Sequence, residues 1–260
     1  MNILLNGYLG FMGREVVKLA DEGYRSARIV AGVDINANAT SPDVVFKSFE
    51  DISTAEGIDC IIDFSHHSCV FALLDYAKAA KLPVVVCTTG HTEDELAYIR
   101  ESAKQIPIFF SANMSLGVAL LVELAKKAVA AMPEANIEII EKHHNRKIDA
   151  PSGTALMIAN ALIEERPEAY TNLGRSGLGK RTQNEIGIHA IRMGNIVGEH
   201  EVIIGTNNQT ITLKHEAHSR ALFAEGALAA ADFLCGMPEG IYDMKSLLSE
   251  TKRSEALSAT

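Results

Sequence analysis

The first residues of the chain hold the feature that most constrains the fold, a glycine turn between a short apolar strand and a helix. The strand is predicted over 2–6 and the helix over 14–22, with Gly7, Gly10 and Gly13 between them. Glycines at such a turn allow a tight bend, close approach of the backbone to a pyrophosphate and close packing of helix on strand. This pattern predicts the beginning of a dinucleotide-binding fold.

An acidic residue follows at the distance that such a fold requires. A second apolar strand over 28–34 ends in Asp34, 21 residues beyond Gly13, which suits a carboxylate that binds the adenine-ribose hydroxyls. The spacing is G-x-x-G-x-x-G, because Tyr8 stands where the usual G-x-G-x-x-G motif has its first glycine. A glycine-rich turn in an unrelated α/β protein is the alternative.

Strands and helices alternate through the rest of the first half. Continuous apolar runs over 59–64, 83–88 and 106–111 predict strands buried on both faces, and helices over 69–80 and 93–105 connect them. The fold class is therefore α/β, with a Rossmann-type doubly wound parallel sheet. Ligands of such sheets bind at the carboxyl ends of the strands.

A second stretch, from Glu141 to Thr154, concentrates charge and polar groups between a strand and a helix. It reads EKHHNRKIDAPSGT, and an apolar-periodic run follows it. The backbone N–H groups at the start of a helix can hold a carboxylate, Lys147 adds a full charge, and the two histidines can hold or release a proton near neutral pH. Such a site suits a small dianion that is bound and protonated. The alternatives are surface histidines and a simple helix cap.

Composition excludes several classes of function. Acidic residues outnumber basic ones by 33 to 24, which argues against a nucleic-acid partner. We expect no membrane partner, because the chain has no apolar run of the roughly 18 residues that a membrane span needs. The four cysteines have no metal-binding or disulfide spacing, and the N-terminus does not resemble a signal peptide, so we expect a cytoplasmic protein without a metal.

The Glu141 stretch resembles the motif E-x-H-H-x-x-K-x-D-A-P-S-G-T-A of the dihydrodipicolinate reductase family. The glycine turn is similar to the family's G-x-x-G-x-M-G, with Gly7, Gly10, Met12 and Gly13 in place. Residues 87–90 and 111–115 resemble the G-T-T-G and A-x-N-x-S segments of the family. The resemblance extends over nearly the whole chain.

This resemblance implies an NAD(P)H-dependent oxidoreductase that reduces a dihydrodipicolinate-type cyclic imine to tetrahydrodipicolinate in the diaminopimelate route to lysine. It implies His143 as the acid, with Lys147 as its catalytic companion. It also implies a substrate-binding set and a cofactor-binding set. The substrate set is His144, Ser152, Gly153 and Thr154, and the cofactor set is Gly7, Gly10, Phe11, Met12, Gly13, Asp34, Phe64, Thr88, Thr89, Gly90, Ser111, Asn113 and Met114.

The resemblance also implies the domain organisation and the partners. We expect residues 1–114 and 221–260 to form the dinucleotide-binding domain, and 115–220 a smaller α+β domain with a mixed sheet that binds substrate and oligomerises. The partners implied are a small dicarboxylate substrate and further copies of the chain in a homotetramer. Asp34 favours NADH over NADPH, because a carboxylate there faces the charge of a 2′-phosphate.

Three positions depart from the family pattern. Cys87 replaces the first glycine of G-T-T-G, Met193 stands where a small residue is usual, and His66-His67 follow Asp-Phe-Ser and are interpreted as loop residues. Two other functions stay open at this point. One is a different nicotinamide enzyme such as an amino-acid dehydrogenase, and the other is a non-catalytic nucleotide-sensing module.

Overall fold

The structure is a computed structural model, and it describes residues 1–249. The chain divides into two compact units: Met1–Leu116 together with the chain from Arg220 onward, and Gly117–Ser219. Residues 250–260 of the predicted first domain lie outside the described residues. Each unit has its own sheet.

The strands and helices follow closely on one another along the chain. In order, the strands are β1 (Asn2–Asn6), β2 (Arg28–Val33), β3 (Val45–Phe46), β4 (Cys60–Asp63), β5 (Val84–Val86), β6 (Pro107–Phe110), β7 (Asn136–His143), β8 (Tyr170–Leu173), β9 (Glu185–Arg192), β10 (Gly198–Gly205), β11 (Thr210–Ala217) and β12 (Gly240–Tyr242). The α-helices are α1 (Phe11–Asp21), α2 (Val70–Ala80), α3 (Glu93–Ser102), α4 (Leu116–Ala131), α5 (Gly153–Glu165) and α6 (Ala221–Leu234).

The first unit is a parallel α/β sheet. Among the described residues its strands follow the order β12-β6-β5-β4-β1-β2-β3, and every pair is parallel. Strands β4 and β5 are buried along their whole length, as their continuous apolar sequence predicts. Helices α1 and α6 pack together, as do α2 and α3. The predicted Rossmann-type sheet is confirmed.

The second unit contains a mixed sheet with the order β11-β10-β7-β9-β8. Strand β7 pairs antiparallel with β10 and parallel with β9, so this prediction is also confirmed. Burial alternates along β7, because successive side chains point to opposite faces of a sheet. Ile137 and Ile139 form a core with Ile158 and Leu162 of α5. Glu141 and His143 continue the same buried row.

Three short strands, β3, β8 and β12, were not predicted. Each is two to four residues long and lacks the apolar run or clear alternation that marks a strand in sequence. Helix α1 also begins earlier than predicted, at Phe11, because Gly13 is part of its first turn. None of the helices that the structure describes is long and apolar enough to cross a membrane.

Candidate active site

The glycine turn has a shape that only glycine permits. Gly7 has φ of +84°, and a Cβ atom there would collide with the carbonyl group of Phe64. A Cβ atom at Gly13 would collide with the carbonyl oxygens of Gly7 and Tyr8. The backbone of the turn therefore lies directly against its neighbours, as a pyrophosphate-binding turn requires.

The turn ends at the N-terminus of α1. Gly10 is the N-cap residue, and it supplies no side chain to cap the helix. Unpaired N–H groups at a helix N-terminus bind anions such as a pyrophosphate. The predicted residues Phe11 and Met12 begin this helix. A glycine turn that leads into a helix N-terminus therefore fits the pyrophosphate of a dinucleotide.

Asp34 lies immediately after β2 and is nearly buried. Its Oδ2 accepts a hydrogen bond from the N–H of Leu9 at 2.9 Å, and its Oδ1 accepts one from the N–H of Asn36 at 2.9 Å. Asp34 therefore fixes the glycine turn to the end of the second strand. Each carboxylate oxygen keeps a further lone pair that could accept from a ribose hydroxyl.

A buried carboxylate joins the ends of three neighbouring strands. Asp63 accepts hydrogen bonds from Asn6 Nδ2 at 2.7 Å, Ser65 Oγ at 2.5 Å and Thr88 Oγ1 at 2.6 Å. Burial raises the pKa of Asp63, although these hydrogen bonds oppose the rise. The network holds Thr88 at the carboxyl end of the sheet, and Thr89 and Gly90 follow it. Three of the predicted cofactor residues thus follow β5 directly.

Three more of the predicted cofactor residues, Ser111, Asn113 and Met114, follow β6. Ser111 Oγ donates a hydrogen bond to the carbonyl oxygen of Asn113 at 2.8 Å. Met114 is buried, and a Cβ atom at Gly226 of α6 would collide with its carbonyl group. Phe64 follows β4 and supplies the carbonyl that meets Gly7.

Two departures from the family pattern, Cys87 and His67, lie in this unit and make contacts within it. Cys87 is buried, and burial raises the pKa of its thiol well above the usual value, with the Asp63 carboxylate adding to the rise. His67 Nδ1 lies 2.9 Å from both carboxylate oxygens of Glu95. Among residues 1–249, no group of three or more His, Cys, Asp or Glu side chains could hold a metal ion.

The second unit positions His143 at the end of β7. Its Nδ1 lies 2.6 Å from Oε2 of Glu141, which is two residues earlier and therefore on the same face of the strand. Arg192, on the neighbouring strand β9, donates to both carboxylate oxygens of Glu141 at 2.6 and 2.8 Å. A Cβ atom at Gly198 would lie 3.2 Å from Nε2 of His143, so this ring nitrogen faces a position without a side chain.

Ser152 joins helix α5 to the same carboxylate. Its N–H donates to Oε1 of Glu141 at 3.0 Å, and its hydroxyl accepts from the N–H of Ala155 at 3.2 Å as the N-cap of α5. The hydroxyl also pairs with Nε2 of His200 at 3.1 Å. With one donor and two acceptor sites, the hydroxyl keeps one hydrogen-bonding site beyond these two contacts. That Ser152 binds substrate stays a prediction.

Electrostatics set the protonation of the buried groups. Burial alone would raise the pKa of Glu141, but hydrogen bonds from Arg192, His143 and Ser152 together hold it below the usual value. Burial lowers the pKa of His143, and Glu141 opposes this effect only in part. Burial, with His143 nearby, lowers the pKa of His200 to about 4. Without a ligand, both histidines are therefore mainly neutral at pH 7.

The loop from 144 to 152 presents Lys147. Its Nζ pairs with Oδ1 of Asp149 at 2.9 Å, and this ion pair between a half-buried lysine and an exposed aspartate holds the pKa of Asp149 below its usual value. The N–H of Asn145 donates to the carbonyl of Gly194 in the β9–β10 turn. In the same turn Met193 is 57% exposed, so its side chain does not occupy the buried site.

The catalytic and substrate-binding residues predicted from the sequence lie on one continuous segment. This segment consists of the end of β7, the loop that follows it and the start of α5. Glu141 is part of the sequence motif, but no role was predicted for it, and Arg192 and His200 were not predicted as site residues. Alternation along β7 could have paired Glu141 with His143. Arg192 and His200 required the strand register, which places them opposite His143 and Glu141.

The first unit is a Rossmann-type unit with a glycine turn, and the second carries an oriented histidine, a lysine and a helix N-terminus. These features define a nicotinamide-dependent oxidoreductase. Comparison with known proteins identifies the family. The models for "Dihydrodipicolinate reductase, N-terminus" and "Dihydrodipicolinate reductase, C-terminus" match residues 1–114 and 117–248. The chain belongs to the dihydrodipicolinate reductase family.

Individual relatives agree with the family models. The chain is 46% identical to 4-hydroxy-tetrahydrodipicolinate reductase of Caldanaerobacter subterraneus subsp. tengcongensis over 96% of this chain and 99% of the relative. It is 45% identical to the enzyme of the same name from Clostridium tetani, over 96% and 97%. Dipicolinate-bound dihydrodipicolinate reductase from Paenisporosarcina sp. TG-14 has a similar fold, with a TM-score of 0.80 at 24% identity over 94% and 97% of the two chains.

As a member of this family the protein is an oxidoreductase. It reduces the dihydrodipicolinate-type cyclic imine to tetrahydrodipicolinate in the diaminopimelate route to lysine, with a nicotinamide dinucleotide as cofactor. Neither of the two other functions considered from the sequence, an amino-acid dehydrogenase or a non-catalytic nucleotide-sensing module, is favoured, because full-length relatives at 39–46% identity carry the reductase name.

Proposed function

We propose that the protein carries out this reduction with His143 as the general acid. The observation that supports this role is the geometry of its ring: Nδ1 is held by Glu141 at 2.6 Å, and Nε2 faces the side-chain-free position of Gly198. The bound nicotinamide would supply a hydride, and the product needs one proton in addition. A histidine with one nitrogen anchored can deliver that proton from the other nitrogen.

Two further elements suit the carboxylates of the substrate. The first turn of α5 contains Gly153 and Thr154, and helix N-termini bind carboxylates through their backbone N–H groups. Lys147, which pairs with Asp149, could exchange that carboxylate for one on the substrate. His144 begins the same loop. We therefore place one carboxylate on the helix end and the other on Lys147, with dipicolinate as an analogue that should bind in the same way.

We assign the cofactor to the glycine turn and the strand ends of the first unit. Gly7, Gly10 and Gly13 would admit the pyrophosphate, and Asp34 would accept hydrogen bonds from the adenine ribose. A carboxylate there disfavours a 2′-phosphate, so NADH should be preferred without NADPH being excluded. Thr88, Thr89 and Gly90 then belong to the nicotinamide end.

We also propose a cytoplasmic homotetramer, as the family resemblance implies. The mixed sheet of the second unit is the candidate interface. Several apolar side chains on its strands are partly exposed, including Ile191 and Ile211 at 38% each. Light scattering at several concentrations would measure the mass. A monomer at micromolar concentration would contradict this proposal.

The reaction can be tested directly. Dihydrodipicolinate synthase would generate the unstable substrate from pyruvate and aspartate semialdehyde, and loss of absorbance of the reduced cofactor would report turnover. The rate should depend on both the synthase and this protein. Cofactor oxidation that is independent of the synthase, or none at all, would contradict the proposed substrate.

A further inference from the structure

Glu141 is a fully buried carboxylate at the end of β7, and it contacts His143, Arg192 and Ser152. Its relative exposure is 0%. Oε1 accepts from Arg192 Nη2 and the Ser152 N–H, and Oε2 accepts from Arg192 Nη1 and pairs with His143 Nδ1. Each carboxylate oxygen of Glu141 thus has two hydrogen-bonding partners.

The core of the second unit does not need an ion pair at this place. Apolar residues occupy the rest of the buried row on β7, and a buried ion pair is often no more stabilising than apolar residues of the same size. The stability of the core therefore does not explain why Glu141 and Arg192 are buried there. Their arrangement does have a specific effect, because it orients the imidazole ring of His143.

The hydrogen bond selects a tautomer. A carboxylate accepts but does not donate when it is ionised, and the pKa of Glu141 is held below its usual value. Nδ1 of His143 must therefore carry a hydrogen and donate it. In the neutral ring Nε2 is then unprotonated, and it is the nitrogen that gains and releases a proton, facing Gly198.

We propose that Glu141, held by Arg192, is a positioning residue that fixes the tautomer and the ring orientation of His143 and supports the imidazolium during proton transfer. This inference rests on the proposed function, in which His143 is the acid. Partners that hold the other nitrogen of a metal-ligating histidine affect affinity or activity about 10- to 100-fold, and we expect an effect of similar size here.

The charged and titratable groups around His143 come from each neighbouring element. Glu141 on β7 favours the protonated ring, whereas Arg192 on β9 and Lys147 in the loop disfavour it. His200 on β10 packs edge to face against His143, with ring centroids 5.2 Å apart. Glu141 is thus the group that counters the neighbouring positive charges.

A purely structural role is the competing explanation. Arg192 Nη2 also donates to the carbonyl of Asp149, and Glu141 holds the N–H of Ser152, so the pair could serve only to fix the loop. Both roles predict a loss of activity when Glu141 is changed. They differ in what happens to the titration and tautomer of His143.

The test compares three variants in the full chain. Glu141→Gln removes the charge and keeps the size. The double variant Glu141→Gln with Arg192→Met leaves no buried charge without its partner. It is therefore included in case the single variant does not fold. Glu185→Gln is the matched control: Glu185 is 4% exposed and binds Arg175 at 2.5 Å, but it lies at the opposite end of β9 from Arg192.

The readouts are the pH profile of kcat/KM and the ring ¹⁵N chemical shifts of His143. In both Glu141 variants kcat should fall about 10- to 100-fold. The decline of kcat/KM with rising pH should also begin at a lower pH, because the Glu141 carboxylate that favours the protonated imidazole of His143 is gone. The shifts should show loss of the pure Nδ1–H tautomer. Glu185→Gln should keep the wild-type profile and tautomer.

Two results separate the possible failures. An unchanged pH limb and tautomer in folded Glu141 variants, together with an inactive His143→Ala enzyme, would overturn the positioning role and leave the acid in place. Near-full kcat in His143→Ala would overturn the proposed role of His143 as the acid.

Discussion

Nε2 of His143 faces Gly198 across the sheet, where a Cβ atom would lie only 3.2 Å away. The ring nitrogen that can release a proton therefore points to a place that the chain keeps without a side chain. The other ring nitrogen is occupied by Glu141. This relationship defines where a proton can be delivered.

His143→Ala should lower kcat far more than it changes the KM for substrate, because an acid acts mainly in the transition state. General acid catalysis contributes about 10²- to 10⁴-fold, and the loss should lie in that range. Steady-state kinetics in the coupled assay measures it. His189→Ala is the control, since His189 pairs with Glu138 elsewhere on the sheet. A variant with near-wild-type kcat at all pH values would show that the acid is misassigned.

Lys147→Ala should raise KM and lower kcat together, because the ammonium would bind a substrate carboxylate in both the ground state and the transition state. We expect a combined loss in kcat/KM of about 10²-fold, in line with a charge-assisted hydrogen bond of roughly 1.5–3 kcal/mol. Lys142→Ala, which removes a lysine paired with Glu199, is the matched control. An unchanged KM in Lys147→Ala would mean that the helix end holds the carboxylates alone.

Binding of pyridine-2,6-dicarboxylate should be coupled to proton uptake. Burial keeps the pKa of His143 below its usual value in the ligand-free protein, and a bound dianion would raise it again. Affinity should therefore weaken as pH rises through the pKa of the bound form. Calorimetry in buffers of different ionisation enthalpy measures the uptake, which should be up to about one proton per site and should vanish in His143→Ala. Equal uptake in that variant would assign the proton to another group.

His200 should make the second unit less stable in mild acid. Its folded pKa is about 4, below the roughly 6.5 of an exposed histidine, so the unfolded chain binds the proton first. Stability is then present above about pH 6.5 and is lost as pH falls towards 4, by about 2 kcal/mol between pH 7 and 5. Urea denaturation at both values tests this. His200→Asn should show a smaller difference between the two pH values, whereas His189→Asn should retain the wild-type difference.

Asp34→Asn should reduce the expected preference for NADH. Removing the charge next to the ribose should raise the relative kcat/KM for NADPH about fivefold, equivalent to ~1 kcal/mol. Measurements at equal, low ionic strength are needed, since salt weakens the effect. Asp43→Asn, at an exposed acid of the same unit, is the control. A wild-type enzyme that clearly prefers NADPH would show that a basic residue elsewhere overrides Asp34.

Local patterns explain why much of this architecture could be predicted. The glycine spacing encodes the turn directly, because Gly7 and Gly13 are sterically required. Alternating burial likewise determines which side chains share a face of β7. The pairing of strands is different, since Arg192 lies 51 residues beyond Glu141 and reaches it only through the register of β7 with β9. No local pattern indicates that register, so the partners of Glu141 appeared only in the structure.

The loop between β7 and α5 is held by hydrogen bonds on both sides of one exposed side chain. Asn145 is bonded to the β9–β10 turn and Ser152 to Glu141, whereas Ile148 is 98% exposed. On the proposed roles, substitutions near Ile148 should change which dicarboxylates are accepted without displacing the histidine. Substrate range and proton delivery would then reside in different residues of one short segment, so selection or engineering could alter the first while the second stays intact.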